Sequence, residues 1–224
     1  MLPAMTLAGS GNHGIAAGIP IVATAGYTEL HQGRGLMHAV TLSYLVTCSI
    51  KALTGRLSAM CGCAVASGAG VAAGVAYLLG GTVEEIGGAL VNHLESTAML
   101  ICDGAKTGCA LKVGEAVASA VKSALLSLQG AVVRPTDGFI GRTVEDTLRH
   151  LGTLSNQGLA ATFFGVPSAM GGLMGRPWQL FSLAKVLEIT TTVNIPVLGS
   201  GAKPKGACTA LFLKSSSCTE THPP

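Results

Sequence analysis

The sequence predicts an all-α protein, a helical domain followed by a poorly ordered C-terminal tail. Gly occurs 31 times in 224 residues, whereas aromatic residues make up 4% of the chain and charged residues 11%. A chain with so few large side chains must build its core from short ones, which let helices pack closely. Helix start and stop signals also recur along the first two-thirds of the sequence.

The first predicted helices follow a glycine-rich segment. Residues 9–14 are expected to form a loop, and residues 15–25 a helix or buried turn. Apolar residues then recur at three- and four-residue intervals over about residues 37–53, which is the spacing of an amphipathic helix. Gly55 is well placed to stop that helix.

The later helices have clearer N-terminal signals. Thr82 is followed three residues later by Glu85, the spacing of a capping box, so a helix should run from there to about residue 99. Another is expected over about residues 112–128. A last one should begin at Thr143, where Asp146 completes a capping arrangement, and end near residue 151.

Residues 57–83 contain no charged residue. A stretch of that length could cross a bilayer, and Gly70 and Gly74 fit a small-xxx-small packing motif. However, Ala, Gly, Ser and Cys insert poorly, and Tyr77 is the sole aromatic residue in the stretch. We therefore expect a cytoplasmic protein with no membrane partner, and keep a small membrane protein as the alternative.

The character of the sequence changes after residue 158. Residues 165–175 are rich in glycine, residues 190–193 resemble a strand, and residues 214–224 are polar. We expect a helical domain over residues 1–159 and a divergent tail of low order over residues 160–224.

The net charge and the cysteine content limit the classes of function that this chain is expected to have. The net charge is +3, and the basic residues are scattered singly, which argues against a nucleic-acid surface. Seven cysteines are an odd number, and no basic n-region of a secretory signal begins the chain. In a reducing cytosol such cysteines more often bind metal or react than form disulfides.

Four cysteines have a spacing that suits a metal site. Cys102 and Cys109 are seven positions apart, and either Cys61 or Cys63 could supply a third thiolate. Three thiolates suit an iron–sulfur cluster that keeps one iron without a protein ligand. Zinc ranks second, because the usual C-x-x-C knuckles are absent. The plain alternative is that these cysteines pack as small apolar residues.

Several strings together resemble the bacterial and archaeal L-cysteine desulfidase family, which is allied to the α-chain domain of iron–sulfur-dependent L-serine dehydratases. They are residues 8–15 (AGSGNHGI), 56–64 (RLSAMCGCA), 99–112 (MLICDGAKTGCALK) and 138–141 (GFIG). The resemblance covers about residues 1–159.

The resemblance implies a helical serine-dehydratase-α-like domain that carries a [4Fe–4S] cluster. By position, its ligands would be Cys61, Cys102 and Cys109, with Cys63 as the alternative to Cys61. The implied reaction breaks L-cysteine down to pyruvate, ammonia and sulfide, and an L-serine dehydratase is the alternative.

Further residues near these strings are candidates for substrate contacts. Ser10, Asn12 and His13 could hold the substrate carboxylate, because a glycine-rich loop exposes backbone amides to an anion; the alternative is a tight turn. Asp103 and Lys106 lie between two proposed ligands and could orient a thiolate or the substrate, or else belong to a solvated loop.

The sequence also departs from that family. Members carry an additional N-terminal half whose cysteine is thought to act as the base, and that half is missing here. The catalytic base is therefore unknown, and we expect a partner chain that supplies the N-terminal half, with a homo-oligomer as the alternative assembly. An inactive structural remnant is the alternative from another functional class.

Overall fold

This computed structural model describes residues 4–28, 34–102, 104 and 106–159. They contain six α-helices and a short π-helix. The elements are α1 (Gly11–Tyr27), α2 (Arg34–Thr54), α3 (Val65–Leu78), α4 (Val83–Thr97), α5 (Thr107–Leu128), α6 (Val144–Thr153) and the π-helix Leu154–Gly158. These residues contain no β-strand, only two isolated bridges. The all-α prediction is confirmed. The expected tail over residues 160–224 lies outside the described residues.

Helix α3 is the central element of the fold. Every residue from Val65 to Ala76 is buried, and the helix packs against α1, α2, α4 and α5. Small residues permit this: a side chain at Gly70 would overlap the backbone of α2 at Ser43, and one at Gly74 would overlap Ile21 of α1. The charge-free stretch therefore forms a core helix of 14 residues, shorter than the ~20 that cross a bilayer.

Helix α2 is long and apolar enough, by length and composition, to cross a membrane over Gly35–Thr54. In the fold it packs against α1, α3 and α6. Its inward face carries the buried polar residues Ser43, Thr47 and Lys51. The Ser43 hydroxyl donates to the Ala17 carbonyl of α1 at 2.9 Å.

Two apolar clusters flank α3. One joins α2, α3, α4 and α6, and the other joins α1, α2, α3, α4 and α5. Their largest fully buried apolar side chains are Ile21, Ile50, Met60, Val65, Val71, Val75, Leu94 and Leu151. Aliphatic residues of moderate size thus fill the space that aromatic residues occupy in many cores.

The predicted caps are present. Glu85 donates its backbone N–H to the Thr82 hydroxyl, and Thr82 donates its own N–H to the Glu85 carboxylate at 2.7 Å, a complete capping box. At α6, Asp146 donates its N–H to the Thr143 hydroxyl at 3.0 Å. Helix α2 ends beside Gly55, which has φ +81°.

Two helix starts were predicted too late. Helix α1 begins at Gly11 rather than near residue 15, so four of the six residues of the expected loop belong to its first turn. Helix α5 begins at Thr107 rather than near residue 112. In both cases a glycine with positive φ, Gly9 or Gly104, turns the chain just before the helix.

The Gly138–Gly141 string has a structural role. Ile140 is buried in the core, and the Gly141 N–H donates to the Thr147 hydroxyl of α6 at 3.0 Å. A side chain at Gly141 would overlap Asp146. The string therefore holds the chain against the start of α6.

Candidate functional site

A tight turn places the glycine-rich segment. Leu7 and Ser10 exchange two backbone hydrogen bonds of 3.0 Å, with Ala8 and Gly9 at φ +49° and +82° between them. Helix α1 starts directly after this turn, so that Ser10, Asn12 and His13 lie at its N-terminus. The tight turn expected as an alternative is thus present, but it precedes these residues, of which His13 is buried, Ser10 is half-buried and Asn12 is exposed.

The cysteines are brought together by two short extended segments. The Cys61 N–H donates to the Leu100 carbonyl at 2.7 Å, and the Cys102 N–H donates to the Ala59 carbonyl at 2.6 Å. This antiparallel pairing aligns residues 59–61 with residues 100–102. Cys61 and Cys102, 41 positions apart in sequence, therefore become neighbours.

The third cysteine comes from the first turn of α5. The Sγ atoms of Cys109 and Cys61 are 4.0 Å apart. Farther along the same helix, the Lys112 ammonium donates to the Ile101 carbonyl at 3.0 Å and ties α5 to the extended segment.

One cavity of about 210 Å³ joins the glycine-rich segment and the cysteines. The sequence-predicted residues that line it are Ser10, Asn12, His13, Cys61, Cys102 and Cys109, together with the alternative ligand Cys63. Lys106 is exposed and does not line the cavity. Asp103 lies outside the described residues.

A larger depression of about 310 Å³ lies between α4, α5 and residues 131–133. It is more open, and the described residues that line it include no cysteine or histidine and one charged residue, Lys122. We therefore place the chemistry in the smaller cavity, where reactive groups converge.

Burial and mutual repulsion disfavour the thiolate forms. Burial raises the pKa of Cys63 to about 11, with further contributions from Cys61 and Cys102. Burial and then Cys61 and Cys63 raise the pKa of Cys109 to about 12. A bound cation would relieve this repulsion and ionise the thiols.

The chemistry of the four thiols in the cavity suits an iron–sulfur cluster. Within the described ranges, no three His, Cys, Asp or Glu side chains are grouped so that they could hold one ion. A cluster binds each thiolate through a different iron, so its ligands need not converge on a point. Soft sulfur donors are also the ligands that such clusters use.

Lys51 was missed by the sequence analysis. It lies in the last turn of α2, is 4% exposed, and donates to the Ser58 hydroxyl at 3.2 Å. Burial lowers the pKa of this lysine, while Cys102, Cys63 and Cys61 act in the opposite direction. In the sequence, Lys51 is a single basic residue in an otherwise uncharged helical stretch. A basic residue near a helix C-terminus is favourable in any case, so its position did not indicate a site.

His13 has a defined tautomer. Its Nδ1 lies 3.2 Å from the Leu7 carbonyl, which can only accept, so Nδ1 carries the proton. Burial lowers its pKa, which favours the neutral ring. The other nitrogen, Nε2, faces the Cys61–Cys63 turn, since a Cβ built on Gly62 would lie 2.5 Å from it.

The chain matches known sequences across this region. The sequence model described as "Serine dehydratase alpha chain" matches residues 1–166. A UPF0597 protein from Desulfotalea psychrophila is 50% identical over 161 residues, 72% of this chain and 37% of the relative. Those from Desulfatibacillum aliphaticivorans and Clostridioides difficile are 51% and 44% identical over 161 residues, again 72% of this chain and 36% and 38% of the relatives.

The chain therefore spans well under half the length of these curated relatives. No solved structure shows a significant match. The match to residues 1–166 contains the whole described region, including every residue that lines the cavity. On this basis the chain belongs to the serine dehydratase alpha chain family.

Proposed function

We propose that this chain is the cluster-bearing part of an iron–sulfur-dependent lyase of the L-cysteine desulfidase type, which converts L-cysteine to pyruvate, ammonia and sulfide. The observation that carries the proposal is the single cavity shared by four thiols and the N-terminus of α1. The family is generally associated with iron–sulfur clusters. An L-serine dehydratase α-type subunit is the second candidate, and its family name favours it.

Cys61, Cys102 and Cys109 are the proposed ligands of a [4Fe–4S] cluster. The pairing of residues 59–61 with residues 100–102 supports the choice of Cys61, because it fixes the backbone of Cys61 beside that of Cys102. Cys63 lines the same cavity and remains the alternative. When bound, an iron that lacks a protein ligand would act as a Lewis acid toward the leaving sulfur or oxygen.

Ser10, Asn12 and His13 are the proposed substrate contacts. The Ser10 side chain makes no capping hydrogen bond at the start of α1, so its hydroxyl is not committed to the helix. A helix N-terminus of this kind attracts anions. The neutral His13 ring can accept a hydrogen bond through Nε2, which suits the substrate ammonium. Asp103 and Lys106 would act from farther away, by orienting the loop between the ligands.

The catalytic base is proposed to lie elsewhere. The chain covers 36% to 38% of the three relatives above, so a large part of those proteins has no counterpart here. A partner chain that carries the corresponding part would supply the base, and a homo-oligomer is the alternative assembly. The reducing cytoplasm would keep the thiols available for the cluster.

Anaerobic purification tests this proposal. We expect brown protein with about four irons per chain and a broad visible absorption. Cys61→Ala, Cys102→Ala and Cys109→Ala should each lose the cluster. Cys48→Ala is the matched control, because Cys48 is exposed and does not line the cavity.

Two results would count against the assignment. Colourless, iron-free protein, made together with intact cluster-assembly machinery, would favour an inactive structural subunit. Loss of the cluster in Cys63→Ala but not in Cys61→Ala would move the ligand role to Cys63. In the presence of the partner that carries the base, release of pyruvate with sulfide from L-cysteine, compared with pyruvate from L-serine, would decide the substrate.

A further inference from the structure

The charge of the cavity is unusual. Among the described residues that line it, Lys51 and Arg56 have basic side chains, and none has a carboxylate. Arg56 is exposed at the rim, where its guanidinium lies over Gly9. Lys51 is 4% exposed. The cavity is therefore built to attract an anion from solvent.

Lys51 has a hydroxyl as its hydrogen-bond partner but no counter-ion among the described residues. Its ammonium donates to Ser58, whose own hydroxyl donates to the Met60 carbonyl at 2.9 Å. No Asp or Glu in the described ranges lies within ion-pair distance of it. Burying an ammonium in this way is unfavourable unless a charge pairs with it.

The positive end of α1 faces the same cavity. This helix has 17 residues, no acidic residue in its first turn and no side-chain cap from Ser10. Its dipole and free amides therefore add to the positive potential near Asn12 and His13. The buried ammonium and the helix end approach the cavity from different elements, α2 and α1.

We propose that Lys51 binds the carboxylate of the amino-acid substrate, which makes the cavity selective for amino acids over amines that lack a carboxylate. The inference rests on the proposed function and deepens it. A Cβ built on Gly62 would lie 3.1 Å from Lys51 Nζ and 2.5 Å from His13 Nε2, so both groups border the Cys61–Cys63 turn. A carboxylate held by Lys51 would thus bring the rest of a small amino acid to the thiols.

The competing explanation is that Lys51 only balances the charge of the thiolates. That role would make iron retention depend on Lys51, but it would not make the cavity distinguish a carboxylate from an amide. L-serine and L-serinamide form a suitable pair of probes, because they differ in that group alone.

The experiment measures binding of both probes to the full chain, loaded anaerobically with iron, by equilibrium dialysis. Wild type should bind L-serine at least 10-fold more tightly than L-serinamide, in line with a hydrogen bond to a charged group. Lys51→Met should weaken L-serine binding by about 10- to 100-fold and leave L-serinamide unchanged. Lys51→Arg should keep part of the preference.

Lys122→Met is the matched control, because Lys122 is exposed in the other depression. It should bind both probes like wild type. Lys51→Gln serves as a second neutral variant, since its amide can still donate to Ser58. Far-UV circular dichroism confirms that each variant is folded.

A carboxylate preference that survives in both Lys51→Met and Lys51→Gln would overturn the proposal. So would wild type that binds neither probe, or loss of iron from these variants without a change in preference. Iron content separates this failure from failure of the proposed function. If the chain carries the cluster but binds L-serine and L-serinamide equally, only the role of Lys51 is refuted. If the chain prefers L-serine but contains no iron, only the cluster is refuted.

Discussion

His93 should make the stability of this protein depend on mildly acidic pH. The side chain lies in α4, is 0% exposed, and donates from Nε2 to the Ala64 carbonyl at 3.1 Å. Its Nδ1 is buried without a hydrogen-bond partner. Burial lowers the pKa of His93 from 6.5 to about 4, because the charged ring cannot be solvated there.

The sign and size of the effect follow from linkage. Between pH 6.5 and 4 the unfolded chain binds a proton at His93 that the folded chain does not, so the free energy of unfolding falls as the pH falls through this window. Each pKa unit corresponds to about 1.36 kcal/mol, which gives a loss of about 3 kcal/mol between pH 7 and pH 4. Above pH 7 His93 should contribute no further pH dependence.

Urea unfolding followed by circular dichroism, at intervals from pH 4 to 7.5, measures this loss. The chain should be prepared without iron, so that metal release does not contribute. In His93→Gln the amide can still donate to the Ala64 carbonyl but cannot titrate. The slope of the free energy of unfolding against pH should therefore be smaller, by the equivalent of about one bound proton. His38→Gln, at an exposed position, is the control. Parallel profiles for wild type and His93→Gln below pH 6.5 would refute the reasoning.

Four further substitutions test the packing, a helix cap and the site. Gly70→Ala should destabilise the chain by about 1–3 kcal/mol, because its Cβ overlaps the backbone of α2; Gly114→Ala, which meets open space in α5, should stabilise it by up to about 1 kcal/mol. Equal urea midpoints for Gly70→Ala and Gly114→Ala would contradict the close packing of α3 against α2. Thr82→Ala should cost about 1 kcal/mol through loss of the capping box, measured in the same way, and no change would contradict its role. Gly62→Ala should reduce iron per chain, because its Cβ meets His13, and full iron content would show that the site can adjust.

The sequence was most informative where local chemistry decides the structure. Thr82 with Glu85 and Thr143 with Asp146 form the predicted caps, because a helix N-terminus needs acceptors for its free amides wherever it lies. The small residues of α3 predicted close packing, but they did not distinguish a helix surrounded by protein from one surrounded by lipid. That distinction depends on partners that are distant in sequence.

The site shows the same limit. Residues 8–15, 56–64 and 99–112 marked the segments, and six of the eight proposed site residues line one cavity. The antiparallel pairing of residues 59–61 with residues 100–102 was not predictable, because three residues carry too little strand signal. Lys51 was missed for a related reason, since its burial and its lack of a counter-ion exist only after α2 packs against the cysteine segments.

The anchoring of the thiols implies that iron binding and folding are coupled. Cys61 and Cys102 depend on backbone pairing between two short segments, whereas Cys109 depends on the first turn of α5. These elements are short, and burial keeps Cys63 and Cys109 protonated in the absence of metal, so metal binding must release protons as it joins the segments. His93 donates to the Ala64 carbonyl one residue after Cys63, and burial disfavours the charged ring, so protonation would destabilise the packing of α4 beside the same turn. Acid should therefore act on the cluster through the fold as well as through the thiols, and the order in which iron and helical structure are lost would reveal which comes first.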